Sequence, residues 1–183
     1  MNKLIATALA LTAVAATSVI TTNPSELIIY KKEMFERINK SRQGQGLPAL
    51  CLNEKMMNIA QNYAGIQASK NQGGHFVGGV APEQRAGSIR YFAENLAEGP
   101  LCSDGWSGPK THEIFMNNDV NRQNIMNPAY THIGIGRATG SRNNAMYYYW
   151  VVWLAQLNEP CNGVPLQYYD QYMQYPSYQV VAP

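Results

Sequence analysis

The segment Tyr147–Leu154 is apolar on both of its faces, and it constrains the fold more than any other part of the sequence. Side chains alternate between the two faces of a β-strand. A strand that is apolar on both faces belongs to a sheet covered on both sides, and helices are the only other material available to cover it. We therefore predict an α/β fold, a three-layer α-β-α sandwich with a small antiparallel sheet between helices. One face carries Tyr147, Tyr149, Val151 and Trp153, and the other carries Tyr148, Trp150, Val152 and Leu154.

The rest of the chain supplies the helices and strands that such a sandwich needs. Apolar residues recur at helical spacing in three stretches, and Asn53 is placed to cap the second of them. A hairpin with a five-residue turn joins the last two predicted strands. The predicted helices cover residues 29–41, 54–72 and 109–118, with a short helical turn near 82; the predicted strands cover 91–97, 131–139 and 145–157, and the turn covers 140–144.

The first 16 residues show the three-part pattern of a secretory signal peptide. Lys3 gives a basic start, Leu4–Ala16 gives an apolar run, and small residues end it. This run is shorter than the roughly 20 residues that span a bilayer, and no later segment is apolar enough to do so. We expect an exported protein without a membrane span.

The charge balance argues against one class of partner. The chain has 14 Lys and Arg residues against 12 Asp and Glu, and no basic run is longer than Lys31–Lys32. A nucleic-acid-binding surface needs a concentrated basic patch. We therefore expect no nucleic-acid partner.

The composition changes after Asn158. The remaining segment contains four prolines and five tyrosines but no Lys or Arg. It is typical either of a segment that wraps the domain surface or of a disordered tail. The predicted organisation is a signal peptide at 1–16, a lead-in at 17–28, one folded domain at 29–161 and a Tyr/Pro-rich tail at 162–183.

A histidine and several short motifs occur in a fixed order through the middle of the chain. They are Leu-Cys-Leu-Asn at 50–53, Gly-Gly-His-Phe around His75, Glu-Asn-Leu-Ala from Glu94, Asn-Arg-Gln-Asn-Ile from Asn121 and Ile-Gly-Ile-Gly from Ile133. Their order and spacing resemble the CAP superfamily, which contains cysteine-rich secretory proteins, antigen 5 and pathogenesis-related proteins. The resemblance covers about Met34 to Gln156, and the Leu-Cys-Leu-Asn form is similar to eukaryotic microbial members.

The resemblance implies an α/β/α fold with a cleft that commonly holds two histidines and two glutamates. Some members of the superfamily bind a divalent metal there. The first family histidine corresponds to His75, and the glutamate of the Glu-Asn motif corresponds to Glu94. The second histidine position is held by Asn121, so one imidazole is missing. The second glutamate has no clean match, although Glu113 lies in the right region.

Three cysteines, Cys51, Cys102 and Cys161, allow one disulfide and one remaining thiol. An oxidising extracellular compartment favours pairing. The residues alone do not choose among the three possible pairs. The resemblance implies that Cys51 pairs with Cys161 and that Cys102 stays free.

The amide at position 121 decides how the cleft is interpreted. A catalytic zinc takes about three protein ligands, and an Asn oxygen is a poor substitute for an imidazole. Asn also cannot carry a proton near neutral pH, which is the usual role of His. We therefore predict that His75, Glu94 and Asn121 line a binding cleft with no catalytic residue and no cofactor. A divalent metal at His75 and Glu94 is the weaker alternative. A purely structural His75–Glu94 pair that locks two loops is as well supported as a role in ligand binding.

The leading functional hypothesis is a secreted, non-enzymatic binding or interaction module. The resemblance implies sterol or other lipid binding, or contact with a host or cell-surface protein. Four methionines, Met56, Met57, Met116 and Met126, are compatible with an adaptable apolar groove, although methionines also fill cores. The alternatives are a metal-assisted hydrolase or protease that uses the degenerate His/Glu cleft, and a wall or matrix component cross-linked through the tail tyrosines.

Three further polar residues are expected to have structural roles. His112 and His132 are predicted to pack or to cap. Asn39 begins the glycosylation sequon Asn-Lys-Ser. We expect it to be unmodified, because it lies in the first predicted helix and the matching asparagine of the resembled superfamily is usually structural.

Overall fold

The computed structural model describes residues 24–101 and 107–160, and their side chains from residue 29 onward. The predicted signal peptide, Cys102, Cys161 and the predicted tail lie outside these residues. The elements are α1 (Pro24–Gly44), β1 (Cys51–Leu52), α2 (Glu54–Lys70), a 3-10 turn (Val77–Gly79), α3 (Pro82–Ala86), β2 (Phe92–Pro100), α4 (Gly108–Asn117), α5 (Asp119–Ile125), β3 (His132–Arg142) and β4 (Ala145–Ala155).

The four strands form one sheet in the order β1-β3-β4-β2. β4 pairs antiparallel with both β2 and β3, whereas β1 pairs parallel with β3. α2 packs on one face of the sheet, and α1, α4 and α5 contribute to the core on the other face. The predicted α/β sandwich is therefore confirmed. No helix within the described residues is both long and apolar enough to cross a membrane.

The last strand is buried on both faces, as its alternation predicts. Four of its side chains join the core formed with α1, α4 and α5, and three others join the core under α2. No residue from Tyr148 to Ala155 is more than 9% exposed. The first set is Tyr148, Trp150, Val152 and Leu154, and the second includes Val151, Trp153 and Ala155.

α2 begins and lies where the sequence indicates. Asn53 caps it, because Asn53 Oδ1 accepts a hydrogen bond of 3.1 Å from the Met56 amide. Two glycines of β3 let this helix approach the sheet closely. A Cβ on Gly134 would lie 2.2 Å from the Met56 carbonyl carbon, and one on Gly136 would lie 2.1 Å from the Ala60 oxygen. The Ile-Gly-Ile-Gly motif thus serves packing.

The predicted five-residue hairpin turn is wrong. β3 and β4 stay paired up to Arg142 and Ala145, so only Asn143 and Asn144 form the loop. Both have positive φ, 51° and 63°. A two-residue turn of this kind matches the twist of the strands, and Asn tolerates the left-handed region better than most residues.

Three other boundaries differ from the sequence prediction. Asn121 lies outside the helices and strands predicted from the sequence, but it belongs to the short helix α5, which Asn118 caps by accepting a 3.0 Å bond from the Asn121 amide. α1 begins at Pro24, inside the predicted lead-in. β1 also lies outside the predicted strands, and it forms because β3 gives it a partner. Capping accounts for α5, and strand pairing accounts for β1.

Arg42 is fully buried and holds the chain around α5 in place. Its guanidinium donates to the carbonyl oxygens of Pro48, Ile125, Asn127 and Tyr130 at 2.7–3.1 Å. Four carbonyl oxygens compensate the charge by solvating it. This single side chain therefore fixes both ends of the connection that follows α5.

Asn39 joins α1 to the chain before β1. Its amide nitrogen donates to the Leu50 carbonyl at 3.1 Å, and its amide oxygen accepts from the Leu50 amide at 2.8 Å. The Asn39 side chain thereby forms the two backbone hydrogen bonds with Leu50 that a neighbouring strand would otherwise form. This is the structural role that the sequence predicts for Asn39.

Lys31 is a second buried cation, only 1% exposed. Its Nζ donates to Gln61 Oε1, and the Gln61 amide also bonds to the Arg137 amide and carbonyl at 3.2 and 3.0 Å. The Arg137 guanidinium lies 3.9 Å from the Tyr148 ring centroid. Burial, and then the nearby Arg137 charge, lower the pKa of Lys31 to about 7.

Candidate functional site

Glu94 is the centre of the polar cluster at the β2 edge of the sheet. Its side chain is 2% exposed. Oε1 accepts hydrogen bonds of 2.8 Å from Arg85 and from His75 Nδ1, and Oε2 accepts from Arg85 at 2.8 Å and from the Trp153 indole at 2.7 Å. Both carboxylate oxygens are thus fully engaged by donors of the chain itself.

Arg85, on α3, supplies the positive charge that balances this buried carboxylate. Its guanidinium stacks 3.4 Å from the Tyr63 ring centroid and also donates to the carbonyls of His75 and Val80. Arg85 is not among the residues predicted from the sequence. It lies in a short helix that shows no useful periodicity in the sequence. The one signal that could have indicated such a residue is that a buried carboxylate, here Glu94, needs a positively charged partner.

His75 meets Glu94 as the order of the motifs predicts, but its ring stays about half exposed, at 49%. The loop that carries it is anchored one residue earlier. The Gly74 carbonyl accepts bonds from the Tyr63 hydroxyl at 2.5 Å and from Gln67 at 3.0 Å. One side of the imidazole is therefore fixed by the carboxylate, while the other faces the surface.

Asn121 belongs to the other face of β2. Its carbonyl accepts a 2.9 Å bond from the side chain of Asn95, whose oxygen in turn accepts a 2.8 Å bond from Asn124. Successive residues of β2, Glu94 and Asn95, therefore hold the His75 loop and α5. Among the described residues, no hydrogen bond joins His75 to Asn121.

The remaining histidines and Glu113 are engaged elsewhere. His112 Nε2 lies 3.0 Å from Ser41 Oγ, and burial is the main cause that lowers the pKa of His112. His132 Nδ1 lies 2.8 Å from Thr131 Oγ1, and burial also lowers its pKa. Glu113 is exposed and pairs with Lys110 at 3.4 Å.

The donor set at Glu94 fits a divalent metal poorly. Zinc would need His75, Glu94 and a third ligand, yet Glu94 already accepts from Arg85, whose positive charge would repel a cation. Asn121 offers an amide in place of the imidazole that zinc prefers. Within residues 24–101 and 107–160, no group of three His, Cys, Asp or Glu side chains is arranged to hold a metal.

Cys51 is disulfide-bonded. Both other cysteines of the chain lie outside the described residues, so its pairing with Cys161 stays a prediction. Cys51 lies on β1, where its residue position pairs with His132 of β3.

A separate groove of about 490 Å³ opens between the end of α1, α4 and α5. Leu47, Met116 and Met126 give it an apolar floor, and Gln45, Arg122 and Gln123 form a polar rim. Met116 and Met126 also pack against the core on the α1 side of the sheet. Two of the four methionines singled out in the sequence therefore line this groove, whereas Met56 is fully buried.

The sheet order, the two helical layers and the His75–Glu94 pair together define a class of α/β/α domains. The model of the cysteine-rich secretory protein family, or CAP family, matches residues 35–153. The chain belongs to this family.

Three bacterial proteins illustrate what the chain is similar to. YkwD of Bacillus subtilis is 30% identical over 125 residues, which are 66% of this chain and 47% of that protein, so the chain spans about half the length of the curated relative it matches. An outer surface protein of Borrelia burgdorferi has a TM-score of 0.58 at 19% identity, with 69% of this chain and 92% of that one covered. An extracellular SCP-domain protein of Bacillus anthracis has a TM-score of 0.57 at 16% identity, with 69% of this chain and 40% of that one covered.

Proposed function

We propose that this CAP-domain protein is secreted and acts as a non-enzymatic binding module for an apolar small molecule such as a sterol or fatty acid. The names of two structural relatives, an outer surface protein and an extracellular protein, support an extracellular location. The signal-peptide pattern of residues 1–16 supports it independently.

The saturated carboxylate of Glu94 is the observation that carries the non-enzymatic part of the proposal. A general base needs a carboxylate that is free to take a proton from the substrate. Glu94 is held by four hydrogen bonds from Arg85, His75 and Trp153 and is almost completely buried. Its role is to fix the His75 loop and α3 to the sheet.

The groove beside α5 supports the apolar ligand. Pockets for small molecules are commonly about 300–1,000 Å³, mostly apolar, with a few polar groups that fix orientation. The groove has a volume of about 490 Å³, with apolar Leu47, Met116 and Met126 and a polar rim that includes Arg122. The unbranched methionines can adapt to a rigid ring system or to an acyl chain.

Equilibrium binding of a radiolabelled sterol and of a labelled fatty acid to the purified full chain tests the proposal. We expect saturable binding at micromolar ligand. Met126→Gln should weaken it by about tenfold, because one lost apolar contact is worth roughly 1.5 kcal/mol. Val120→Gln is the matched control, since Val120 lies on α5, which ends directly before Met126, is 66% exposed and does not line the groove. Absence of saturable binding for both ligands would refute the proposal.

A further inference from the structure

β2 lies at the edge of the sheet, and no strand of the described residues pairs with its outer side. Gln156 donates to the Tyr91 carbonyl at 3.0 Å, and Leu101 donates to the Met146 carbonyl at 2.7 Å. The register between these two bonds is continuous, and hydrogen-bonded pairs alternate with non-hydrogen-bonded pairs in an antiparallel ladder. The odd-numbered residues of β2 therefore form the hydrogen bonds to β4. The amides and carbonyls of Phe92, Glu94 and Leu96, and those of Glu98, therefore point away from the sheet.

No hydrogen bond of the described residues reaches these outward groups. Natural proteins usually protect such an edge with Lys, Pro, a bulge or a covering segment. Between Phe92 and Glu98 the strand has no Lys, no Pro and no break in register. Pro100, which occupies the next outward position and lacks an amide hydrogen, ends the open stretch. The open edge spans seven residues, or roughly 20 Å at about 3.3 Å per residue.

A small cavity lies beside the same stretch on the α2 side of the sheet. Its volume is about 170 Å³, and Gly73, Gly74, Leu96 and Glu98 are among its lining residues. This is below the range of about 300–1,000 Å³ for small-molecule sites, so it suits one side chain of a longer partner. The Glu98 carboxylate gives it an acidic lip, and its bond to Arg142 is exposed and weak at 3.3 Å.

Two exposed aromatic side chains lie near the other end of the open edge. Phe76 is 70% exposed and follows His75, which is bonded to Glu94. Tyr91 is 71% exposed and directly precedes Phe92. Exposed aromatic residues of this kind are enriched where proteins bind partners.

We propose that the open edge of β2, from Phe92 to Glu98, binds an extended peptide segment of another protein by strand addition, with a basic peptide side chain at Glu98 and an apolar one near Phe76. Main-chain hydrogen bonds supply the affinity in this mode, and pockets for alternate side chains supply the specificity. The inference rests on the proposed role as a binding module and adds a second kind of partner to it.

Two experiments test the proposal. A random short-peptide library is first selected for binding to the full chain, and amide hydrogen exchange of the protein is then measured with synthetic copies of the enriched peptides. Enriched peptides should alternate β-branched or aromatic residues and carry a Lys or Arg. On binding, the amides of Phe92, Glu94, Leu96 and Glu98 should gain protection of about tenfold or more, as expected when a hydrogen bond forms. The odd-numbered amides, already bonded to β4, should change little.

Two sets of variants separate backbone pairing from charge. Glu98→Pro removes one outward amide and should weaken binding by about tenfold, whereas Glu98→Gln should only abolish the preference for a basic residue. N-methylation of alternate peptide residues should also weaken binding, and this test does not depend on how well Glu98→Pro folds.

Failure to enrich any peptide, or binding that leaves the four amides unprotected, would overturn the proposal. Protection of these amides before any peptide is added would also overturn it, because a second copy or the chain's own tail would then cover the edge. Saturable sterol or fatty-acid binding alongside such a failure would leave the proposed function intact.

Discussion

The indole of Trp153 donates a 2.7 Å hydrogen bond to Glu94, its direct cross-strand partner. Trp150, three residues earlier on the same strand, is just as buried, but its indole nitrogen has no hydrogen-bond partner among the described residues. The two tryptophans therefore offer a matched comparison of a bonded and an unbonded indole in one core.

Replacing each tryptophan by phenylalanine measures that hydrogen bond. Trp153→Phe should lower the free energy of unfolding by about 1.5–3 kcal/mol more than Trp150→Phe does, because a bond to a buried charge is lost only in the first variant. Urea denaturation of both variants checks this. Equal losses would mean that the Trp153–Glu94 bond contributes little.

The Arg85–Glu94 ion pair should behave as a coupled unit. Arg85→Met leaves a buried carboxylate without its cation and should cost about 3–5 kcal/mol, whereas Arg85→Met combined with Glu94→Gln should recover a large part of that loss. A double-mutant cycle of unfolding free energies measures the coupling. Simple additivity of the two substitutions would contradict the central place of this pair.

Lys31 should make the free energy of unfolding increase with pH. Its pKa is lowered from 10.5 to about 7 in the folded protein. Between those values the unfolded chain binds a proton that the folded chain does not, so each pH unit adds up to about 1.4 kcal/mol. This contribution is absent below about pH 7 and complete above the unfolded value.

Lys31→Met should reduce that slope and stabilise the protein at and below about pH 7, where the cost of burying the charged amine is largest. Denaturation curves at several pH values, compared between the two proteins, isolate the contribution of Lys31 from that of other groups. Parallel pH profiles would show that Lys31 titrates near its ordinary value.

Gly136 should tolerate no side chain, whereas Gly65 should. A Cβ on Gly136 would lie 2.1 Å from the Ala60 oxygen, but one on Gly65 meets nothing within 4 Å. Gly136→Ala should destabilise by at least about 1–3 kcal/mol, because α2 must move away from β3. Gly65→Ala, inside α2, should stabilise by about 0.5–1 kcal/mol. Thermal unfolding of both variants decides the point.

The cleft should take up little zinc even when an imidazole is placed at position 121. We expect substoichiometric zinc in the natural protein by elemental analysis after dialysis, and no more in Asn121→His, because Arg85 already balances Glu94 and Asn121 is bonded on the other face of β2. Asn124→His, a substitution one turn further along α5, is the control for non-specific uptake. One equivalent of zinc in the natural protein would favour the metal-assisted alternative.

Much of the fold followed from the sequence because burial leaves a periodic pattern. The two apolar faces of Tyr148–Leu154 predicted a covered sheet, and Asn53 predicted the start of α2. The pairing of His75 with Glu94 was anticipated from the order of the motifs. These features depend on local pattern or on family likeness, which a sequence displays directly.

Other features depend on three-dimensional pairing and left no such pattern. The short turn at Asn143 and Asn144 needed the strand register, and β1 needed its partner strand. Arg85 reaches Glu94 across a loop, and the buried Lys31 lies in an exposed-looking Lys-Lys pair. The sequence therefore did not predict which charged residues are buried, because long-range contacts place them in the core.

The two bonds between Asn39 and Leu50 also bear on glycosylation. Within a folded molecule the acceptor nitrogen of this sequon is already committed to a backbone carbonyl. An oligosaccharide would have to be attached while the chain is still unfolded, and it would then keep α1 from docking beside β1. In a secretory pathway that glycosylates proteins, sugar transfer and folding would therefore compete for the same Asn39 nitrogen atom.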